Sequence, residues 1–165
     1  MTFDNSDRPK LPTSALDTEA GFDAETEHWF EYIVKAQPHH TDYGGIVWHG
    51  TYLTWMETAR VECLHSIGVD FAELVALGCD LPVVELSLRY HQPIHLGTRA
   101  IVKTRLAETV GVRIHWDYEI KSIDNQKLFL TGRVTLVGVD REKGKIIRKL
   151  PSNLQKALVK IQQSH

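Results

Sequence analysis

The amino-acid sequence predicts an α+β domain in which one long, largely buried helix is wrapped by a curved antiparallel sheet of about five strands. Three observations lead to this fold class. The chain has 165 residues, the length of one ordinary domain. One long segment has apolar residues at helical spacing, and the chain after it consists mostly of alternating segments separated by turn residues. Because an open sheet has edges to protect, we also expect a homodimer or homotetramer.

The first 27 residues are predicted to form a flexible acidic tail, which leaves residues 28–165 as the folded domain. The tail carries seven acidic and two basic residues and few large apolar ones. It lacks the apolar core of a secretory signal, and no later apolar run is long enough to span a membrane. Cys63 and Cys79 fit neither a disulfide framework nor a zinc site. We therefore expect a cytoplasmic protein with no membrane span.

The first strand is predicted over residues 28–37, where large side chains alternate until Pro38 interrupts the pattern. A long helix then begins near His49 and ends before Gly68, which is a natural helix stop. Its apolar stripe consists of Tyr52, Met56, Ala59, Cys63 and Ile67, widened by Leu53, Trp55 and Leu64. Most of this helix should therefore be covered.

The rest of the chain is predicted to form a short helix, the remaining strands and a terminal helix. The short helix is capped by Asp70 and ends at Gly78. Alternation and turn residues predict strands at Val83–His91, Thr98–Glu108, Val112–Ile123, Leu128–Val139 and Lys145–Arg148. The terminal helix is expected over Pro151–Gln162, because its apolar residues lie on one side.

Charge is unevenly distributed along the chain. The formal net charge is −2, which argues against a polybasic nucleic-acid-binding domain. From residue 86 onward, fifteen Lys or Arg residues stand against six acidic ones, a net charge of +9. Such a basic half is either a solvated sheet face or a surface that binds phosphate groups, and composition does not decide between them.

The densest group of polar residues and glycines is the segment 38–52, PHHTDYGGIVWHGTY, which connects the first strand to the long helix. Asp42 precedes Gly44 and Gly45, and the helix begins about seven residues after Asp42. A carboxylate beside the unpaired N–H groups of a helix start can combine a base or nucleophile with a site that polarises a carbonyl. The alternative is that Asp42 only stabilises a tight Asx-turn before Gly44.

The run from His40 to Arg60, HTDYGGIVWHGTYLTWMETAR, resembles the signature of the 4-hydroxybenzoyl-CoA thioesterase family, and most closely its bacterial acyl-CoA thioesterase branch in the hotdog-fold superfamily. That branch typically has D-T-D, then G-V-V-Y-H, N-Y and an E-x-A-R on the helix. The likeness covers roughly residues 28–155. Its later matches are Gly68, Arg89, Tyr90, Pro93, Leu96, Gly97, Leu150 and Pro151.

The resemblance implies a hotdog fold, acyl-CoA thioesterase activity and no cofactor other than the coenzyme A of the substrate. It also implies that Asp42 is the catalytic carboxylate and that the backbone N–H at His49 polarises the thioester carbonyl, with the His49 side chain in the active site. Two positions depart from the pattern. His40 replaces the first Asp of D-T-D, and Pro38 replaces an active-site Tyr, so we expect substrate preference or rate to differ from the branch.

Two mechanisms remain open for such a site. Asp42 either attacks the thioester carbonyl to form a mixed anhydride or acts as a general base on a water molecule. In both, the N–H at His49 stabilises the oxyanion, a contribution typically of about 3 kcal/mol.

Further residues are predicted to bind the substrate. Trp48 is expected near the acyl group because it precedes His49, and basic side chains suit the phosphates of CoA. The full set is Tyr43, Gly45, Trp48, Tyr52, Arg89, Lys103, Arg105 and Arg113.

The same residues allow other interpretations. The histidines around Asp42 lack the spacing of metal ligands, and we expect no metal. Glu57 is expected to form an intrahelical ion pair with Arg60, three residues later. The activity has two alternatives, a thioesterase acting on acyl-carrier protein and a non-catalytic module that binds acyl-CoA.

Overall fold

The computed structural model describes residues 28–164, so the tail predicted over residues 1–27 lies outside the described residues. The elements in chain order are β1 (Phe30–Lys35), α1 (Thr51–Ser66), α2 (Phe71–Ala76), β2 (Cys79–Asp80), β3 (Val83–Tyr90), β4 (Arg99–Val110), β5 (Arg113–Ser122), β6 (Leu128–Val137), β7 (Val139–Asp140), β8 (Lys145–Ile146) and α3 (Ser152–Ser164). The predicted helices and strands are confirmed, with bounds that differ by two residues or fewer at each end.

The main sheet has five strands in the order β1-β4-β5-β6-β3, and every neighbouring pair is antiparallel. Its centre is set by the alternation in β5, where Trp116 lies opposite Leu106 on one side and Val134 on the other. All three side chains are buried in the core that the sheet shares with α1. The predicted antiparallel sheet around a long helix is confirmed.

The helix α1 is buried along most of its length because its apolar stripe faces the sheet. The predicted core positions Tyr52, Met56, Ala59, Cys63 and Ile67 are all buried. Gly132 in β6 leaves room for the Leu88 side chain of β3, since a Cβ atom there would lie 2.5 Å from a methyl of Leu88.

Two positions on α1 differ from the sequence prediction. Leu53 was expected to widen the buried stripe, but it is 38% exposed and lines a cleft of about 230 Å³ at the open edge of the sheet. Arg60 is buried instead, and it donates a hydrogen bond from Nη1 to the hydroxyl of Tyr118 over 3.1 Å. Its predicted ion pair with Glu57 is present at 3.9 Å, with Glu57 exposed.

The strand β3 is an edge of the main sheet, because only β6 pairs with it among the described strands. Its apolar side chains Val83, Val84, Leu86 and Tyr90 are between 43% and 51% exposed. Beyond this sheet, β2, β7 and β8 form a small second sheet that the sequence did not predict. None of the helices in residues 28–164 has the length and apolar character needed to cross a membrane.

Candidate active site

The connection between β1 and α1 is a tightly hydrogen-bonded loop. A 3-10 turn at Pro38–His40 opens it, and the Asp42 N–H then donates to the Ile46 carbonyl over 2.8 Å. Gly45 takes a φ of +73°, a conformation that favours glycine, and its N–H donates to the Asp42 carbonyl over 3.0 Å. The loop is held to the rest of the fold by Gly45, whose carbonyl accepts the N–H of Leu96 over 2.9 Å.

The carboxylate of Asp42 is fixed by one of its two oxygens. Oδ1 accepts the N–H groups of Gly44 at 2.8 Å and Ile46 at 3.2 Å. The Asx-turn considered from the sequence is therefore present. Oδ2 accepts no hydrogen bond from any residue in the described part of the chain, and the residue is exposed. One oxygen holds the loop while the other is open for chemistry.

The start of α1 lies at the end of the same loop. The carbonyl of His40 accepts both the Trp48 N–H at 2.9 Å and the Thr51 hydroxyl at 3.0 Å, which ties the helix start to the 3-10 turn. Gly50 is the N-cap residue and supplies no capping side chain. Within residues 28–164 nothing accepts the N–H groups of His49 and Gly50, so they remain available to an oxyanion.

A cleft of about 270 Å³ opens beside this helix start. It is lined by Ile46, Val47, His49, Tyr52, Tyr90, His91, Gln92 and Pro93. Asp42 does not line it directly, but its carboxylate is hydrogen-bonded to Ile46, which does. Of the predicted site residues, the structure brings His49 and Tyr52 to the wall of the cleft and Asp42 next to it.

The indole of Trp48 packs against Gly50, the N-cap residue of α1. A Cβ atom added at Gly50 would lie 2.7 Å or less from three atoms of the Trp48 ring, so only glycine leaves room for it. The Trp48 ring is also 4.7 Å from the His49 ring and is 54% exposed. Tyr43, by contrast, is fully exposed on the loop.

Comparison with known protein families assigns the chain to one of them. The model of the thioesterase-like superfamily matches residues 36–158. The chain belongs to the thioesterase-like superfamily. Membership confirms the hotdog fold expected from the resemblance and the expected enzyme class, a thioester hydrolase.

Three similar proteins match this chain over most of its length. A protein of Synechocystis named as a putative esterase is 54% identical over 164 residues, 96% of this chain and 99% of its own length. A chloroplastic acyl-acyl carrier protein thioesterase of Arabidopsis thaliana is 26% identical over 90% of this chain and 76% of its own length. The crystal structure of a DHNA-CoA thioesterase from Staphylococcus aureus has a TM-score of 0.73 at 27% identity, covering 82% of this chain and 91% of that one.

The basic residues predicted to bind CoA lie on the sheet and do not line the cleft of this thioesterase chain. Lys103 pairs with Glu31 at 3.0 Å, and Arg105 pairs with Asp117 at 3.3 Å and stacks on Trp29. Each of the two cations thus already has an acidic partner. Burial raises the pKa of Asp117, but its hydrogen bonds and ion pairs with Arg133 and Arg105 outweigh this and lower the pKa overall.

The other two basic candidates are less engaged. Arg89 is the second-to-last residue of β3 and lies opposite Thr131. Arg113 is the first residue of β5. Both are exposed, and neither forms an ion pair with another described residue. No cluster of three His, Cys, Asp or Glu side chains that could hold a metal is found among residues 28–164.

The two departures from the family pattern have a structural role in the loop. Pro38 opens the 3-10 turn, and the His40 Nδ1 accepts the Gln37 N–H over 3.1 Å. The His40 ring packs edge-on against Trp55 with centroids 5.3 Å apart. Burial and the neighbouring His39 lower the pKa of His40 below its ordinary value. His40 thus contributes to the loop's shape and not through a contact with Asp42.

Sequence reasoning missed two residues that organise the site. Thr51 ties the helix start to His40, and the Tyr90 hydroxyl donates to the His49 carbonyl over 2.8 Å. Tyr90 entered only as a match to the family pattern. Its distance of 41 residues from His49 leaves no local signal for the bond.

Proposed function

We propose that the protein hydrolyses acyl-CoA thioesters at the loop between β1 and α1, with Asp42 and the backbone N–H of His49 as the catalytic groups. One observation carries this proposal. The Asp42 carboxylate is held through Oδ1 and open at Oδ2, and the loop that holds it leads into a helix start with unsatisfied N–H groups. In a thioester hydrolase, this pairing supplies a nucleophile or base and an oxyanion site.

The reaction follows in either of two forms. In the covalent form, Oδ2 of Asp42 attacks the thioester carbonyl, the CoA thiolate leaves and takes up a proton, and water hydrolyses the mixed anhydride to the free acid. In the other, Oδ2 takes a proton from a water molecule that attacks the same carbon, the C–S bond breaks, and the departing CoA thiolate takes up that proton. The N–H of His49 stabilises the negative oxygen in both.

The substrate is proposed to lie along the cleft beside the helix start. Tyr52 in the cleft wall and Trp48, whose ring lies 4.7 Å from that of His49, supply apolar surface for the acyl group. Among the four basic candidates, Arg89 and Arg113 are the better ones for CoA phosphates, because acidic side chains already pair with Lys103 and Arg105.

We further propose that two copies pair through the β3 edges. An edge strand with unpaired backbone groups and four large exposed apolar residues favours association with another strand. Pairing of this kind would cover Tyr90 and the cleft at Leu53 from outside.

A second candidate is hydrolysis of acyl thioesters on a carrier protein. The similarity to the Arabidopsis acyl-acyl carrier protein thioesterase over 90% of this chain favours it. Both carriers present the acyl group as a thioester, so the proposed role of Asp42 is the same in each.

The test is release of free thiol from benzoyl-, acetyl-, octanoyl- and 1,4-dihydroxy-2-naphthoyl-CoA and from octanoyl-carrier protein, with Asp42→Asn beside the wild type. We expect Asp42→Asn to lower kcat at least about 100-fold, because an amide is neither a nucleophile nor a base. Asn keeps an acceptor for the Gly44 and Ile46 N–H groups, so the loop should survive.

Asp70→Asn is the matched control. The Asp70 carboxylate also accepts a backbone N–H two residues later, that of Ala72 at 2.8 Å, but it does not line the cleft. We expect this variant to retain wild-type activity. Equal activity of the two variants would reduce Asp42 to a turn residue. Binding without hydrolysis of any substrate would leave only a binding module.

A further inference from the structure

Two separate clefts follow one another along the seam between α1 and the edge strand β3. The first cleft, of about 270 Å³, lies beside the helix start, and the second cleft, of about 230 Å³, is the one that Leu53 lines. On the helix side, Tyr52 belongs to the first cleft and Met56 to the second. On the strand side, Tyr90 belongs to the first cleft and Leu86 to the second.

The second cleft is mostly apolar. Its walls are formed by the two members of the α1 ion pair described above and by Leu53, Met56, Val83, Leu86 and Val134. It begins about 6 Å further along α1 than Tyr52, because Met56 comes four residues later and each residue of a helix rises about 1.5 Å. A hydrocarbon chain that continued along the seam past Tyr52 would therefore enter an apolar space.

Leu88 is the residue of β3 that lies between the two clefts, on the same face of the strand as Tyr90. It is opposite Gly132 in β6, and one of its methyls lies 2.5 Å from the place where a Cβ atom of Gly132 would be. The Leu88 side chain thus lies low over the sheet and packs against the core. Tyr90, at 47% exposed, stands further from the core.

The ring of Tyr90 crosses the seam from the strand to the helix start. Its backbone is paired with Leu130 in β6, and its hydroxyl donates to the His49 carbonyl over 2.8 Å. The ring also packs edge-on against Tyr52, with centroids 5.3 Å apart. The other residues that follow β3 in the first cleft, 91–93, come after Tyr90 and lie on the side away from the second cleft. Tyr90 therefore stands at the boundary between the two clefts.

We propose that Tyr90 sets the length of the acyl group that the enzyme accepts, because its ring closes the end of the first cleft. A short aliphatic or single-ring aromatic acyl group fits beside His49, whereas a long chain has to continue along the seam and meets the Tyr90 ring. This inference rests on the proposed function, which places the acyl group in the first cleft. Pairing of two copies through β3 would cover Tyr90 from outside and leave it between the clefts.

The kinetic test compares kcat/KM for dodecanoyl-CoA and hexanoyl-CoA by thiol release. We expect the wild type to favour hexanoyl-CoA and Tyr90→Ala to raise the dodecanoyl-to-hexanoyl ratio at least about tenfold, because the additional methylenes gain an apolar site. Tyr90→Phe loses the hydroxyl but keeps the ring against Tyr52, so its ratio should stay within about twofold of the wild type even where kcat falls. An equal rise in both variants would assign the effect to the lost hydrogen bond and overturn the role of the ring.

Two further variants locate the path of the long chain. Leu86 lines the second cleft and not the first, so Leu86→Trp should cancel the gain of Tyr90→Ala and leave the wild-type ratio unchanged. Val84→Ala is the matched control, because Val84 is an exposed apolar residue of β3 that lines neither cleft. Each ratio is taken within one variant, so a partial loss of folded protein cancels. A gain that survives Leu86→Trp would contradict the inference.

A second measurement does not require turnover. Hexyl-CoA and dodecyl-CoA are thioethers that cannot be hydrolysed, and titration calorimetry gives their Kd values. We expect Tyr90→Ala to bind dodecyl-CoA, relative to hexyl-CoA, at least about tenfold more tightly than the wild type does. Unchanged relative affinities would refute the inference. The expected affinities together with no hydrolysis of any thioester by the wild type would refute the proposed function instead.

Discussion

The two ends of α1 are built in opposite ways. At the C-terminal end, Gly68 adopts a φ of +75°, its N–H donates to the His65 carbonyl at 2.9 Å, and the Val69 N–H reaches the Leu64 carbonyl at 3.0 Å. This is a Schellman closure that satisfies the last carbonyls. The Ser66 hydroxyl adds a bond to the Cys63 carbonyl at 2.7 Å.

At the N-terminal end, the N-cap residue is Gly50, which has no side chain to offer. A Ser, Thr, Asp or Asn at this position would stabilise the helix by only about a few tenths of a kcal/mol relative to glycine, but its side chain would accept one of the open N–H groups. The chain forgoes such a cap and leaves the N–H groups open beside a cleft. The difference fits the proposed function, in which the unsatisfied N–H groups at the N-terminal end bind the oxyanion.

Of the changes at the two ends of α1, Gly50→Ala at the N-terminal end is expected to have the largest effect. The backbone there, at φ −76° and ψ −23°, accepts alanine, so the added Cβ acts through its collision with the Trp48 ring. We expect kcat/KM to fall at least about tenfold as Trp48 and the helix start shift, because small misplacements at a reacting centre are costly.

A double-variant cycle sharpens this result. In a Trp48→Ala background the indole is gone, so Gly50→Ala should cost little further activity. Additive losses in the cycle would show that Gly50 acts independently of Trp48, contrary to the contact in the structure. Steady-state kinetics on the best substrate of the panel provides the four values.

A smaller effect is expected at the closed end from Gly68→Ala. A Cβ atom at Gly68 meets only the Lys160 ammonium at 3.7 Å, so the cost comes from the left-handed backbone. We expect a loss of about 1 kcal/mol of unfolding free energy, or about 3 °C in Tm, with kcat and KM unchanged. A change in kcat without a change in Tm would break the distinction between the two ends.

The smallest effect is expected from protonation of His40, which lies in the 3-10 turn before the N-terminal end of α1. Because the pKa of folded His40 lies below the ordinary value of 6.5, the unfolded chain takes up this proton more readily than the folded one. Its contribution to stability is therefore complete above about pH 6.5 and is lost as the pH falls below that value. A protonated Nδ1 also cannot accept the Gln37 N–H.

Urea unfolding at pH 7.5 and pH 5.5 measures this linkage. His40→Asn keeps a side-chain acceptor and cannot titrate, so its stability should fall less between the two pH values than that of the wild type. Equal falls would assign the pH dependence to the other histidines.

The fold was largely predictable because its main elements have clear periods. The alternation of Ile114, Trp116 and Tyr118 marks a strand half covered by core, and the helical stripe of α1 marks its buried side. Periodicity did not reveal the burial of Arg60, since its hydroxyl partner lies 58 residues away. Nor could it predict β2 and β7, because two-residue strands are too short to show a period. The strand β8 was predicted at Lys145–Arg148, but its pairing with β7 was not.

The candidate site was predictable in part. The resemblance singled out Asp42 and His49, and the structure supports a carboxylate and an open helix start on one loop, although their catalytic roles stay predictions. The ion pairs of Lys103 and Arg105 depend on which residues the strand register places opposite them, as with Arg105 and Asp117. Register is known only once the sheet is folded. Composition alone therefore could not show that Lys103 and Arg105 are paired with acidic residues, and both stayed candidates for binding phosphate.

The donors at the N-terminal end of α1 are main-chain atoms, and this limits which mutations can remove them. A point mutation can remove a hydroxyl or a carboxylate, but it removes a backbone N–H only by introducing proline. Side chains around the loop can therefore change while the backbone N–H groups of the proposed oxyanion site are kept. The backbone N–H groups at the start of α1 leave little trace in the sequence, and few mutations can remove them.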